Sequence, residues 1–323
     1  MDWRIKACVQ AALARLPGGT RLNDGLQQAL GARRNAAAHL DSKFSDDWLV
    51  HAQVLRELGF DIRDRELVEI GTGWLPVFPL CYALAGARRC HTFDLNRHLR
   101  AQAVRPTLEH LEKHLPAIAQ ASGQTHAEVQ RRWQHLLRAD GDDAVLERAG
   151  IVYRAPANAT ATGLEDRSVA LVFSNSVLEH VPPTVLGALM HEARRVLGPG
   201  GLALHSVNCG DHYAYFDSSI TAIHYLRYSD EEWRRWNNDL LYQNRLRPVD
   251  FIDAARAAKL EVVLDRQQPQ QRLLDRIDRL PIAPQFQRYP PDQLCCTSVT
   301  FAARVHIGDT LNRGMSGAFA KPT

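Results

Sequence analysis

Residues 67–74 read Leu-Val-Glu-Ile-Gly-Thr-Gly-Trp, and the reading of the chain starts from them. A short apolar run reaches the carboxylate Glu69 and then enters a turn built on Gly71 and Gly73. Bare backbone at such a turn lets a ligand approach closer than any side chain would allow. The pattern gains force from the blocks C-terminal to it. A second apolar run, His91-Thr92-Phe93, ends in Asp94, 25 positions after Glu69. A third block reads DRSVALVFSNSVLEHV over 166–181, and a fourth reads RRVLGPGGLALHSV over 194–207.

From Glu66 onward, strand-like and helix-like segments alternate, the pattern of a parallel sheet wound in right-handed βαβ units. Strands are expected near 66–70, 89–93, 151–154, 169–174, 202–207, 260–265 and 297–305. Helices are expected near 76–86, 97–120, 125–148, 183–197, 230–239 and 248–258. Residues 1–63 read as a helical cap, broken at Pro17-Gly18-Gly19. Within it Trp48, Ala52, Leu55 and Leu58 share one face, and Ser45 or Asp46 is placed to cap the second helix. The main domain is expected over 64–310, with a helical insertion at about 97–149 and an aromatic, polar excursion at about 208–247. Residues 311–323 form a tail.

Composition narrows the field. The 323 residues are 45% hydrophobic and 23% charged with a net charge of +3, so nothing points to nucleic acid or a membrane surface. No apolar stretch approaches the ~20 residues of a membrane span. The six cysteines form no CxxC pair, and a cytoplasmic chain with reduced thiols is expected. His110 and His114 are four apart, a spacing that suits a metal, but no third ligand stands near them in sequence and no metal is expected.

The four motifs, in this order, resemble class I S-adenosylmethionine (SAM)-dependent methyltransferases. The resemblance implies a Rossmann-like α/β fold: a seven-stranded, mostly parallel sheet with helices on both faces, here with an N-terminal helical cap. It implies S-adenosyl-L-methionine as cofactor. The family's glycine motif has a third glycine where this chain has Leu75. By resemblance, Glu69, Gly71, Thr72 and Gly73 approach the cofactor, Asp94 takes the ribose hydroxyls, and Leu95 comes directly after it. Asn158 and Ala159 stand where the family places Asp-Ala against adenine, and Ser174 and Asn175 face the methionyl end. The segment at 295–305 would be the antiparallel strand inserted late in this fold.

The acceptor side is read from residue chemistry. The excursion holds Asp211, His212, Asp217 and His224 among Tyr213, Tyr215, Phe216 and Tyr225. Carboxylates and imidazoles beside aromatic rings suit acceptor binding and proton removal. His212 is the candidate base, oriented by Asp211 or Asp217, with His224 the next candidate; Asn244 and Arg245 are placed for an anionic acceptor. The expected activity is methyl transfer to a small molecule or glycan precursor, oxygen favoured over nitrogen or carbon, by a monomer or homodimer. Three alternatives remain: a SAM-using enzyme that cyclises or cleaves the cofactor, a nicotinamide-dependent oxidoreductase, and a binding module without turnover.

Overall fold

The computed structural model describes residues 2–16 and 36–305. The Pro17-Gly18-Gly19 break and the 311–323 tail lie outside the described residues.

Seven strands form one sheet: β1 (Glu66–Ile70), β2 (Arg89–Phe93), β3 (Ile151–Arg154), β4 (Val169–Asn175), β5 (Leu197–Asn208), β6 (Glu261–Pro269) and β7 (Cys296–Arg304). Their spatial order is β3-β2-β1-β4-β5-β7-β6. Every pair from β3 to β5 is parallel, whereas β7 pairs antiparallel with both β5 and β6. The chain leaves β1 toward β2 on one side and later returns to β4 on the other. That reversal opens a crevice at the carboxyl ends of β1 and β4, where open α/β sheets take their ligands.

Strand alternation sends side chains to two faces. Leu67, Leu171, Phe173, Leu202, Leu204 and Ala302 pack under the helices of residues 36–57, helix Val77–Leu84 and the insertion. Val68, Val172, Ala203, Val207 and Ala303 pack on the other face, against Leu186, Leu189 and Met190 of helix Pro183–Val196 and Phe251, Ile252 and Ala255 of helix Pro248–Ala257. The insertion contains helices Val104–His110, Leu115–Ser122, His126–Leu137 and Asp142–Arg148. Thr125 and Glu128 close a reciprocal capping box at the start of the third.

The N-terminal segment docks in two places. Helix Trp3–Ala14 lies on the acceptor-side excursion, where Trp3 and Ala7 join Tyr213, Ile223, Tyr225 and Trp233 in a third apolar cluster. Residues 36–57 lie on the sheet: helix Ala36–Ser42, a π-helical stretch Lys43–Trp48 and helix Leu49–Glu57. Helical structure therefore begins before Ser45 and Asp46, which sit inside it and cap nothing. Ser45 Oγ instead donates to the Asp41 carbonyl at 2.8 Å. The helix expected at 230–239 stops at Trp233. Asn237 ends it by exchanging hydrogen bonds with the Gln243 backbone at 2.8 and 3.0 Å.

Candidate active site

The glycine turn leads from β1 into the crevice. Gly71 and Gly73 have φ of +79° and +68°, the left-handed region that favours glycine. A Cβ at Gly71 would run into Val177, with Cγ1 at 3.1 Å and Cγ2 nearer still, so the turn is clamped on the segment leaving β4. At Gly73 nothing lies within 4 Å of that position.

Two carboxylates hold the turn. Glu69 is buried and accepts from Thr72 Oγ1 at 2.8 Å; burial, opposed by that bond, pushes its carboxyl up to about 8. Asp94, at the tip of β2, accepts the Gly73 N–H at 3.2 Å and the Tyr153 hydroxyl at 3.0 Å. It caps no helix. Burial raises its pKa, against the hydrogen bond from Tyr153. Tyr153 had no sequence signal beyond its place in β3. It pairs in register with Thr92, one residue short of the end of β2, and its hydroxyl also accepts the His98 and Leu99 amides at 3.1 and 3.2 Å.

The remaining expected cofactor residues divide. Leu95, directly after Asp94, is an apolar side chain left 69% exposed. Asn158 is exposed, its side-chain Oδ1 accepting Thr160 N–H at 2.9 Å, while Ala159 is buried. The Ser174 hydroxyl turns away, bonded to His205 Nδ1 at 2.8 Å. Asn175 Nδ2 is buried and faces the Asp47 carboxylate across the cavity wall. An open glycine edge, an apolar side chain next in the chain to a buried carboxylate and a polar amide at the neighbouring strand tip fit a nucleoside carrying an amino-acid tail.

A cavity of about 860 Å³ opens past the tips of β4, β5 and β7. Asn175, Ser206, Asn208, Asp211 and Thr300 line it together with Arg272 and Arg276. Asp46, Asp47 and Val50 of the N-terminal segment form part of its wall, a role for residues 36–57 beyond packing. His51, wholly buried, reaches from the same segment to Ser206 Oγ at 3.0 Å, which in turn meets Thr300 Oγ1 at 2.9 Å.

No hydrogen bond joins the His212 ring to Asp211 or Asp217. Asp211 Oδ1 accepts Tyr213 N–H at 2.9 Å, the Tyr225 backbone N–H also faces the carboxylate, and burial pushes the carboxyl up to about 7. Asp217 is spent on Trp3 N–H at 3.1 Å and Ser219. His212 stands 5.1 Å from the His180 ring and 5.6 Å from that of Tyr215. Burial pushes it down to about 3, helped by the His180 and Lys6 charges. His224 packs edge-on against Trp3 at 5.7 Å in the aromatic cluster. Asn244 and Arg245 face no acceptor. Asn244 donates to the Leu178 and Val181 carbonyls, and Arg245 to the Tyr225 and Tyr228 carbonyls and to Asp230.

Sheet order with a single reversed strand is the architecture the motifs implied, and a family model described as a methyltransferase domain matches residues 117–205. The match spans β3, β4 and most of β5, and so includes SNSVLEHV and RVLGPGG but not the glycine turn. Over that stretch the chain is similar to methyltransferase domains. No curated protein matches it in sequence. Among solved structures it is similar to a SAM-dependent methyltransferase from Mesorhizobium loti, at 14% identity, covering 78% of this chain and 96% of that one with a TM-score of 0.41. A second, from Methanosarcina mazei, is 16% identical, with 76% and 94% covered and a TM-score of 0.42. A geranyl diphosphate methyltransferase solved with SAM is 14% identical, with 84% and 90% covered and a TM-score of 0.44.

Proposed function

We propose that the chain transfers the methyl group to an oxygen atom of a small-molecule or glycan-precursor acceptor seated in the cavity beyond β4, β5 and β7. The observation that carries this reading is the cavity itself. Its volume of about 860 Å³ suits a single small ligand rather than a polymer, and polar side chains line much of its wall. Bound SAM supplies a methyl group on a positively charged sulfur, open to direct displacement. The chain's part is to align that group with the acceptor and keep water out.

In this reading Asp94 holds the ribose, with Tyr153 fixing the carboxylate's orientation. Leu95 covers one face of the adenine, and Asn158 and Ala159 border it. Glu69, Gly71, Thr72 and Gly73 shape the turn toward the methionyl tail, which Asn175 meets from β4; Ser174 contributes only its backbone. An acceptor hydroxyl must lose a proton, and Asp211, a cavity-lining carboxyl whose pKa burial pushes up to about 7, is the group proposed to take it. His212 stands next to it in the chain. His224, inside the aromatic cluster, holds the excursion in shape.

The test is incubation with labelled SAM and a panel of hydroxylated small molecules, with mass spectrometry and fragmentation of any methylated product. An O-methyl product whose rate collapses in Asp211→Asn, at unchanged S-adenosylhomocysteine affinity, supports the reading. A methylated nitrogen or carbon overturns the oxygen assignment. Release of methylthioadenosine without any acceptor would establish cofactor cleavage instead.

A further inference from the structure

One cluster, two of its three side chains largely buried and the third exposed, has no part in holding the cofactor or lining the acceptor cavity. The 3₁₀ turn Leu178–His180, just after β4, brings Glu179 and His180 against His212 from the excursion. One ligand atom from each of the three lies within 4.8 Å of the others. Glu179 is only 2% exposed, yet among the described residues its carboxylate meets no side-chain donor and no cation, only the backbone amides of Glu179 itself and Asn208. His212 Nε2 is buried and unpartnered. A buried carboxylate with no cation or side-chain donor beside it is costly to ionise, and such a group calls for a positively charged partner. His180 is arranged differently. Its Nδ1 meets the Tyr242 carbonyl at 2.6 Å, which makes Nδ1 the proton-bearing nitrogen and leaves Nε2 a bare lone pair. A ring nitrogen donated to a backbone carbonyl, with the other nitrogen free, is the usual arrangement of a metal-ligating histidine.

We infer that Glu179, His180 and His212 form a binding site for one divalent transition-metal ion of the zinc type. Two imidazole nitrogens and one carboxylate oxygen suit such an ion better than magnesium or calcium, which prefer oxygen throughout. Bonds of about 2.0–2.2 Å would draw the three ligand atoms together by modest side-chain rotation. Three protein ligands leave at least one coordination position open.

The position of the cluster gives the ion a use. Val177, two residues before Glu179, clamps the cofactor turn at Gly71. Gly210 and Asp211, just before His212, line the acceptor cavity. The ion would therefore tie the segment that clamps the cofactor turn to the segment that borders the acceptor cavity, and an acceptor oxygen that reached its open position would be made more acidic. This use rests on the proposed oxygen acceptor; the binding of the ion does not.

A second histidine pair shows what distinguishes the site. His110 and His114, expected to lack a third ligand, both meet Asp41 Oδ1 at 2.8 Å, because helix Ala36–Ser42 packs beside them. The Lys113 ammonium occupies that carboxylate at 2.7 Å, so its charge is already neutralised. Glu179 has no such cation.

Chelator-stripped protein titrated with Zn²⁺ against a chromophoric competitor, and with Co²⁺ monitored by its visible absorption, tests the site. One equivalent is expected, with binding weakened at least tenfold in Glu179→Gln and in His212→Gln and unchanged in His114→Gln. S-adenosylhomocysteine binding by each variant reports that it is folded. Absence of stoichiometric binding by the parent chain overturns the inference, as does loss in His114→Gln with retention in Glu179→Gln. Stoichiometric metal in a chain that methylates nitrogen or carbon would leave the site standing and remove its use.

Discussion

Replacing Gly71 and Gly73 one at a time by Ala separates two jobs within a single turn. Both sit at positive φ, so each alanine carries a left-handed penalty of about 1–2 kcal/mol. Only at residue 71 does the new methyl meet protein, in Val177, where making room costs about 1–3 kcal/mol more. Gly71→Ala should therefore lower unfolding free energy by about 2–5 kcal/mol and Gly73→Ala by about 1–2 kcal/mol. At residue 73 the methyl points into open space on the crevice side, so the larger effect there is on ligand affinity. Urea unfolding at fixed pH gives the stabilities, and calorimetric titration with S-adenosylhomocysteine gives the affinities. Trimming Val177 to Ala in the Gly71→Ala background should return most of the overpacking cost, an interaction energy of about 1–3 kcal/mol in a double-mutant cycle. Equal destabilisation by the two glycine changes, or no relief from Val177→Ala, would refute the clamp.

Buried charge leads to two more expected outcomes. Burial holds the Glu69 carboxyl up near 8, so it is largely protonated at neutral pH, and stability should fall as pH rises from about 4.5 through 8. A ligand ammonium beside it favours the ionised form, so binding S-adenosylhomocysteine near pH 7 should release a proton. Titrations in buffers of different ionisation enthalpy read that release, which Glu69→Gln should abolish. Arg247 is fully buried and donates to the Cys209 and Cys296 carbonyls and to the Tyr225 hydroxyl, tying the excursion to β5 and β7. Arg247→Met should cost about 2–4 kcal/mol in urea unfolding, mainly by orphaning the Cys296 carbonyl, because Tyr225 still serves Cys209 at 2.7 Å. A loss below about 0.5 kcal/mol would count against that tie.

The sheet was legible because its strands are short apolar runs closed by polar tips. Glu69, Asp94 and Asn175 fall where those runs stop, and strand ends in a parallel sheet are where ligands bind. Long-range meetings were not legible. Asp41 reaching His110 and His114 depends on how helix Ala36–Ser42 packs, and nothing in local spacing encodes it. Tyr153 reads as one more strand residue until β3 is set beside β2. The excursion announced itself by its aromatic and titratable residues, but composition does not say which of them are satisfied. Arg245 and Asn244 looked available and are consumed by backbone carbonyls. Glu179 sat inside a recognised motif and gave no hint that its carboxylate would be buried with no cation beside it.

The central claim is that a carboxylate at the tip of β2 grips the cofactor's ribose across the glycine turn. Calorimetric titration of S-adenosylhomocysteine into the parent chain and into Asp94→Ala tests it most directly. One equivalent bound by the parent, with affinity reduced at least tenfold in the folded variant, is the expected result. No binding by the parent, or equal affinity in both, would contradict it.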